Sequence, residues 1–288
     1  MHTKNGFWTF VLLLFATSTN LMGQNTTDVF TYNIGNIQIS TLSESQGNGN
    51  TGILIGATPE MIKEYLPDGT FPNAVNAFLV KTPDKTILID AGFGRKLFHN
   101  LKSLNTSPEQ IDIILLTHMH GDHIGGLLKD GEITFPNADL YISQPEYDYW
   151  MKGDHTSQQN VINAYKNKLN LFSPNELSNN HIPLLPGVFA LAAYGHTPGH
   201  TAFLFKFDKQ QLLIWGDLTH AMKIQMPYPD VTVTYDVDPE LAIKYRKPIL
   251  EYVTKNNIPI AGMHIAFPGM GKISSNHKKG YEFTPLDA

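Results

Sequence analysis

The densest chemistry in the chain lies in His118-Met119-His120-Gly121-Asp122-His123, where three imidazoles and a carboxylate fall close together. Nitrogen and carboxylate donors at this spacing are what a borderline divalent cation such as zinc takes up. On extended backbone His118 and His120 point to the same side. Asp122 and His123 follow a glycine and can face a second position nearby. A polar loop merely rich in histidine is the bland alternative. The chain has no cysteine, which excludes disulfides, thiolate zinc sites, a cysteine nucleophile and a lipoprotein anchor. Any metal must therefore be held by His, Asp or Glu.

Those donors do not complete a two-metal site, and three later stretches supply more: Gly195-His196-Thr197-Pro198-Gly199-His200, Gly216-Asp217 and Gly262-Met263-His264. In each, an apolar run ends and releases a donor into a glycine-flanked loop. A rigid scaffold delivers side chains from distant parts of a chain to one edge in this way.

The elements that must position them alternate along the chain. Phe30 to Leu42 alternates apolar and polar residues as a half-buried strand does, and Gln46 to Asn50 reads as a loop. Thr58-Pro59-Glu60 starts a short helix through Leu66. Val75 to Val80 and Thr86 to Asp90 form a hairpin turning at Pro83-Asp84. Ser107-Pro108-Glu109 caps a helical turn before the buried strand Ile111 to Leu116. A strand over Ala138 to Ser143 leads into an aromatic helix, Gln144 to Met151, and Val161 to Phe172 has helical spacing. Strands follow at Val188 to Tyr194, Ala202 to Phe207 and Gln211 to Trp215. Asp238-Pro239-Glu240 opens a helix towards Asn256 that should bend near Pro248. Ile258 to His264 is a strand, and Lys272 to Phe283 forms edge structure. Strands in both halves with helices between them imply an α/β (α+β) chain of two sheets sandwiched by helices.

The 288 residues, 42% hydrophobic and 16% charged, suffice for a large core. A net charge of -5 gives no general attraction to nucleic acid or to an anionic membrane. Residues 1–23 read as a secretory signal: Lys4 precedes an apolar core, Phe7 to Ala16, too short to span a bilayer. Leu21-Met22-Gly23 is the expected cleavage site, an uncleaved anchor being the alternative. The expected mature domain is residues 24–288, exported to the periplasm or secreted, with no membrane association.

The sequence resembles the metallo-β-lactamase fold superfamily, through Asp90-Ala91-Gly92, the His118 motif, Gly195-His196-Thr197-Pro198-Gly199-His200, Gly216-Asp217 and His264. Within it the chain is similar to the methyl parathion hydrolase and N-acyl-homoserine lactonase branch, through Ala266-Phe267-Pro268-Gly269-Met270-Gly271 and Gly280-Tyr281-Glu282-Phe283. The resemblance implies an αββα sandwich of two mixed sheets with two divalent ions, Zn2+ by expectation, at one edge. Carried over by position, His118, His120 and His196 bind the first ion and Asp122, His123 and His264 the second, with Asp217 bridging. His196 is the ligand rather than His200 because it is the first histidine of its motif. Asp90 either orients a ligand imidazole or simply ends its strand.

The resemblance implies hydrolysis, by a hydroxide shared between two ions, with Asp122 handling the proton. The expected substrate is a small apolar lactone, ester or phosphotriester. Lactonase activity on N-acyl-homoserine lactones (quorum quenching) leads. An organophosphate triesterase is the alternative, and an exported metal-binding protein without turnover is a third reading. Lactonases of the superfamily commonly carry a tyrosine three residues after the bridging aspartate. Here that residue is His220, either an oxyanion donor or proton shuttle or an exposed loop histidine. Met119, Phe267 and Tyr149-Trp150-Met151 either line an apolar pocket or pack in the core. No nucleic-acid partner is expected, and a homodimer is compatible with the sequence.

Overall fold

Unbroken runs of Val, Ile, Leu and Phe dictate strands covered on both faces, because neither alternating side can be left in water. The computed structural model describes residues 28–178, 180–276 and 279–286; the expected leader, residues 1–23, lies outside them, as does His277. A seven-stranded mixed sheet runs in the order Val29–Ile34, Ile37–Asn50, Thr70–Lys81, Thr86–Ile89, Ile113–Leu115, Asp139–Ser143, Leu169–Phe172. A six-stranded mixed sheet runs Val188–Ala192, Thr201–Phe207, Gln210–Ile214, Ile260–Ala261, Met270–Ser275, Tyr281–Pro285.

The period of two along each strand divides the core into layers. Ile87, Ile89, Ile113 and Leu115 face Phe203, Phe205, Leu212 and Ile214 between the sheets. Their neighbours Leu88 and Ile114 turn outwards onto Leu97, Leu101, Trp150 and Val161 of the covering helices. On the second sheet Leu204, Leu213 and Ile260 pack against Ile249, Leu250 and Val253 of the Pro239–Lys255 helix. The result is the expected αββα sandwich. No helix among the described residues is long and apolar enough to cross a membrane.

Several expected boundaries move. The first alternating stretch is two strands, turning at Gly35-Asn36 with Ile34 paired to Ile37. Gln46 to Asn50 is no loop but the end of a long strand paired with Thr70 to Ala74. Glycine there makes room for a cross-strand ring, since a Cβ on Gly49 would lie 2.3 Å from the Phe71 ring. Val161 to Phe172 is not one helix: the helix ends at Ala164, and Leu169–Phe172 pairs in parallel with Asp139–Ser143. The edge of that strand needs backbone partners, and this requirement overrides the helical spacing. Only Ile260–Ala261 of Ile258 to His264 joins the ladder, whereas the Pro239–Lys255 helix continues through Pro248.

Candidate metal centre

Adjacent strands end at the same edge of the sandwich, and each releases chemistry there. Thr86–Ile89 is followed by Asp90, Ile113–Leu115 by the His118 motif, Gln210–Ile214 by Asp217 and Ile260–Ala261 by His264. His196 enters from the loop joining Val188–Ala192 to Thr201–Phe207. All seven residues singled out as ligands meet here.

His118, His120, His196 and Asp217 form one cluster and Asp122, His123 and His264 another, and Asp217 also clusters with His264 and His220. His120 Nδ1 lies 3.0 Å from both His118 Nε2 and His196 Nε2. Asp217 Oδ2 is 3.2 Å from His196 Nε2 and 3.7 Å from His118 Nε2. Donors about 2.0–2.1 Å from a tetrahedral ion sit roughly 3.3 Å apart, so this spacing suits a zinc-sized cation. In the second group, His123 Nε2 is 3.7 Å from Asp122 Oδ1 and 3.3 Å from Asp217 Oδ1. His264 Nε2 is 3.5 Å from Asp122 Oδ2 and 2.9 Å from Asp217 Oδ2. Asp217 Oδ1 and His123 Nε2 are buried without a hydrogen-bond partner. Leaving such atoms unmatched costs about 1–3 kcal/mol each, and a cation between them removes the cost.

Hydrogen bonds on the far side of each ring fix which nitrogen is presented. His123 Nδ1 donates to Asp90 Oδ2 at 2.7 Å, and His196 Nδ1 to Asp236 Oδ1 at 2.8 Å. His264 Nδ1 donates to the Ala74 carbonyl at 2.8 Å. The Thr117 hydroxyl donates to Asp90 Oδ2 and so accepts from His118 Nδ1 at 3.1 Å. Four imidazoles therefore turn a bare Nε2 inward, in the orientation ligand histidines need. Asp90 thus orients a ring. Both nitrogens of His200 are taken by backbone, Nδ1 by the Ala193 carbonyl and Nε2 by the Asp217 amide. His200 is a strut and not a donor to the cluster.

Charge is distributed unevenly. Burial and the His123 ring push His118 well below its usual range, and burial with His196 brings His120 to about 4. Burial opposes charge on His123 as well, but Asp217, Asp122 and Asp90 raise it well above normal. His196 rises to about 9, Asp217 and Asp236 outweighing its burial. Burial alone would raise Asp217, yet His123, His264 and His118 hold it well below the carboxylate range. A ligand imidazole must be neutral, so cation uptake here displaces protons.

The Metallo-beta-lactamase superfamily description matches residues 70–257. The chain belongs to the metallo-beta-lactamase superfamily. Proteins with solved structures resemble it over almost its whole length. A hydrolase named AbOPH, described as in the beta lactamase superfamily, is 27% identical, with a TM-score of 0.80 over 92% of this chain and 99% of its own. AidC, described as a dizinc quorum-quenching lactonase in complex with the product N-hexnoyl-L-homoserine, is 25% identical, with a TM-score of 0.81 over 90% and 98%. The N-acyl homoserine lactonase of Bacillus cereus is 24% identical over 62% of this chain and 76% of its own. Other curated relatives are matched only over 61% or 36% of their length. This chain is a metallo-beta-lactamase-fold hydrolase, and the fold implies divalent metal ions.

Beside this superfamily centre opens a pocket of about 650 Å³. It is lined by His120, Asp122, His196, Asp217, His220 and His264 together with Ile53, Val75, Phe93 and Tyr235, and Asn50 and Asn73 also border it. His220 is no exposed loop residue: it is 3% exposed. Its ring stacks on His264 at 4.6 Å, and its Nε2 is 3.4 Å from Asp217 Oδ2. Burial and the neighbouring His264 and His196 bring it down to about 4, so the ring is neutral near pH 7. Of the two readings of the Met119, Phe267 and Trp150 side chains, the structure gives the core. Met119 and Trp150 are buried in the core behind the motif, and Phe267 packs edge-on against Phe30. Side chains on the strand ending in the His118 loop alternate, and Met119 takes the inward turn away from the pocket.

Sequence reasoning missed Thr117, Asp236 and Arg246. Asp236 is buried, accepts from the Val233 amide at 3.1 Å and lies 3.8 Å from Arg246 Nη2. Arg246 donates to the carbonyls of Leu218, Pro229 and Val231. A legible signal existed: Arg246 shares a helix face with Ala242, Ile249, Leu250 and Val253, and an arginine in an apolar stripe needs a buried partner.

Proposed function

We propose that this hydrolase opens lactone rings, with N-acyl-homoserine lactones as substrates, at two divalent ions held by His118, His120 and His196 on one side and Asp122, His123 and His264 on the other, with Asp217 shared. The observation carrying this reading is the mixed lining of the pocket: the candidate donors together with Ile53, Val75, Phe93 and Tyr235. Such a cavity suits a molecule with a polar reacting head and an apolar tail. The likeness to AidC across 90% of the chain supports the lactone choice. Two divalent cations, zinc by donor chemistry, would supply Lewis acidity and make water nucleophilic near neutral pH.

The chain's own residues do the rest. The Asp122 side chain is 22% exposed at the pocket and takes the proton lost by the attacking water, then returns it to the leaving ring oxygen. His220, neutral and buried beside Asp217, donates a hydrogen bond to the oxygen that gains charge. Phe93 and Tyr235 exclude water and hold the acyl tail. Water is consumed, the ester bond breaks, and a hydroxy acid forms that ionises and acidifies the medium.

The test follows that proton. A pH-stat compares a long-chain homoserine lactone with methyl parathion on metal-analysed protein. Faster turnover of the lactone supports the reading, and a large preference for the phosphotriester reverses it. The export of the mature chain rests on residues 1–23, and the mass of the exported protein tests it.

A further inference from the structure

The strand Asp139–Ser143 leads into a short helix, Gln144–Trp150, that carries no proposed metal ligand. Its Glu146 is nonetheless only 1% exposed. A carboxylate placed there must be matched by donors, or it would cost several kcal/mol. Four donors reach it. Oε1 accepts from the Met119 amide at 2.9 Å and from the Trp150 indole. Oε2 accepts from the Thr197 hydroxyl at 2.6 Å and from the Gly199 amide at 3.0 Å.

The origin of those donors gives the arrangement its meaning. Met119 lies between His118 and His120, and Thr197 follows His196. One carboxylate therefore ties together the two loops that carry all three histidines of the first group. The loops have no other choice of distance. A Cβ on Gly199 would lie 2.1 Å from the Glu146 amide nitrogen, so only glycine admits the contact. Ser143 Oγ also donates to the Gly199 carbonyl at 2.7 Å, and Gln158 Nε2 to the Met119 carbonyl at 3.0 Å. The Trp150 and His120 rings meet edge to face with their centroids 5.7 Å apart. Nothing comparable reaches the second group from this helix: Asp90 and the Ala74 carbonyl orient His123 and His264.

We infer that Glu146 is a positioning residue that sets the spacing of His118, His120 and His196, and so governs cation affinity at that half of the centre alone. It touches neither substrate nor ion and acts through the backbones of two loops. The inference rests on the two-ion reading but not on the choice of substrate.

The test is cadmium titration of the whole chain, followed by cadmium-113 NMR, in which the three-imidazole position and the mixed position give separate resonances. Glu146→Gln keeps the shape but turns an amide NH2 against two of the donors. It is expected to weaken cadmium at the three-imidazole position about 10–100-fold and shift that resonance, leaving the other unchanged. Asp148→Ala, an exposed change on the same helix that leaves the carboxylate and all four donors in place, is expected to leave both resonances unchanged. If Glu146→Gln does not fold, Thr197→Val removes one donor to Oε2 and is expected to weaken the same position to a smaller extent. Equal weakening at both positions, or at neither, in the variant that folds overturns the role of Glu146. Failure of the unaltered chain to take up two cadmium ions instead removes the two-ion reading beneath it.

Discussion

Around His118, His120 and His196 every donor is an imidazole, whereas around Asp122, His123 and His264 a carboxylate takes one of the three places. His118 and His196 on the first side are buried to within 3%, and His120 is partly exposed and meets the pocket. On the second side the Asp122 side chain is 22% exposed and meets the pocket. The first group is closed by side-chain carboxylates on its far side, Asp236 on His196 and Glu146 on the loops. The second carries the extra negative charge. In the proposed reading the contrast separates two tasks within one centre: the imidazole side fixes position, and the acidic side moves protons.

Removing what the halves share should have the largest effect. Asp217→Ala is expected to abolish turnover and lower metal content at both positions, read by elemental analysis after dialysis; loss from one half alone would show that Asp217 does not bridge. Next come the paired orienters. Asp90→Asn should weaken cation binding about 10–100-fold at the mixed half and, through Thr117 and His118, by less at the imidazole half, whereas Asp236→Asn should act by a similar factor at the imidazole half alone. Chelator competition on each variant checks this, and identical profiles would erase the distinction between halves.

His220 lies outside both groups in its proposed role, so His220→Ala should lower kcat about 10²–10³-fold with both ions retained. Unchanged turnover on every lactone tested would remove the role, and a lost ion would make His220 a ligand. The smallest effect belongs to the apolar lining. Tyr235→Ala should cost about 1–3 kcal/mol in kcat/KM for a long acyl chain and little for a short one. Equal losses on both would detach Tyr235 from the tail.

How much of this was legible depended on whether a local pattern or a distant partner did the work. The seven donors could be read because each stands where an apolar run stops, and the resemblance paired them across the chain. The layer order followed from strands apolar on both faces, such as Ile113–Leu115. Gly49 misled, because its missing side chain is compensated by the Phe71 ring in the neighbouring strand. Leu169–Phe172 misled because an edge strand answers to its partner's backbone and not to its own spacing. Glu146 and Asp236 were silent for a related reason. An acid in a short aromatic helix or a loop shows its role only when the donors it meets, dozens of residues away, are known.

The central claim is that two ions occupy two unlike halves sharing Asp217. Anomalous diffraction at the metal absorption edge, from crystals of the loaded chain, tests it most directly. The account predicts two peaks. One lies among His118 Nε2, His120 Nδ1 and His196 Nε2, the other among Asp122, His123 and His264, and both lie within bonding distance of Asp217. A single peak, or a second ion seated on His220 in place of Asp122 and His123, would contradict it.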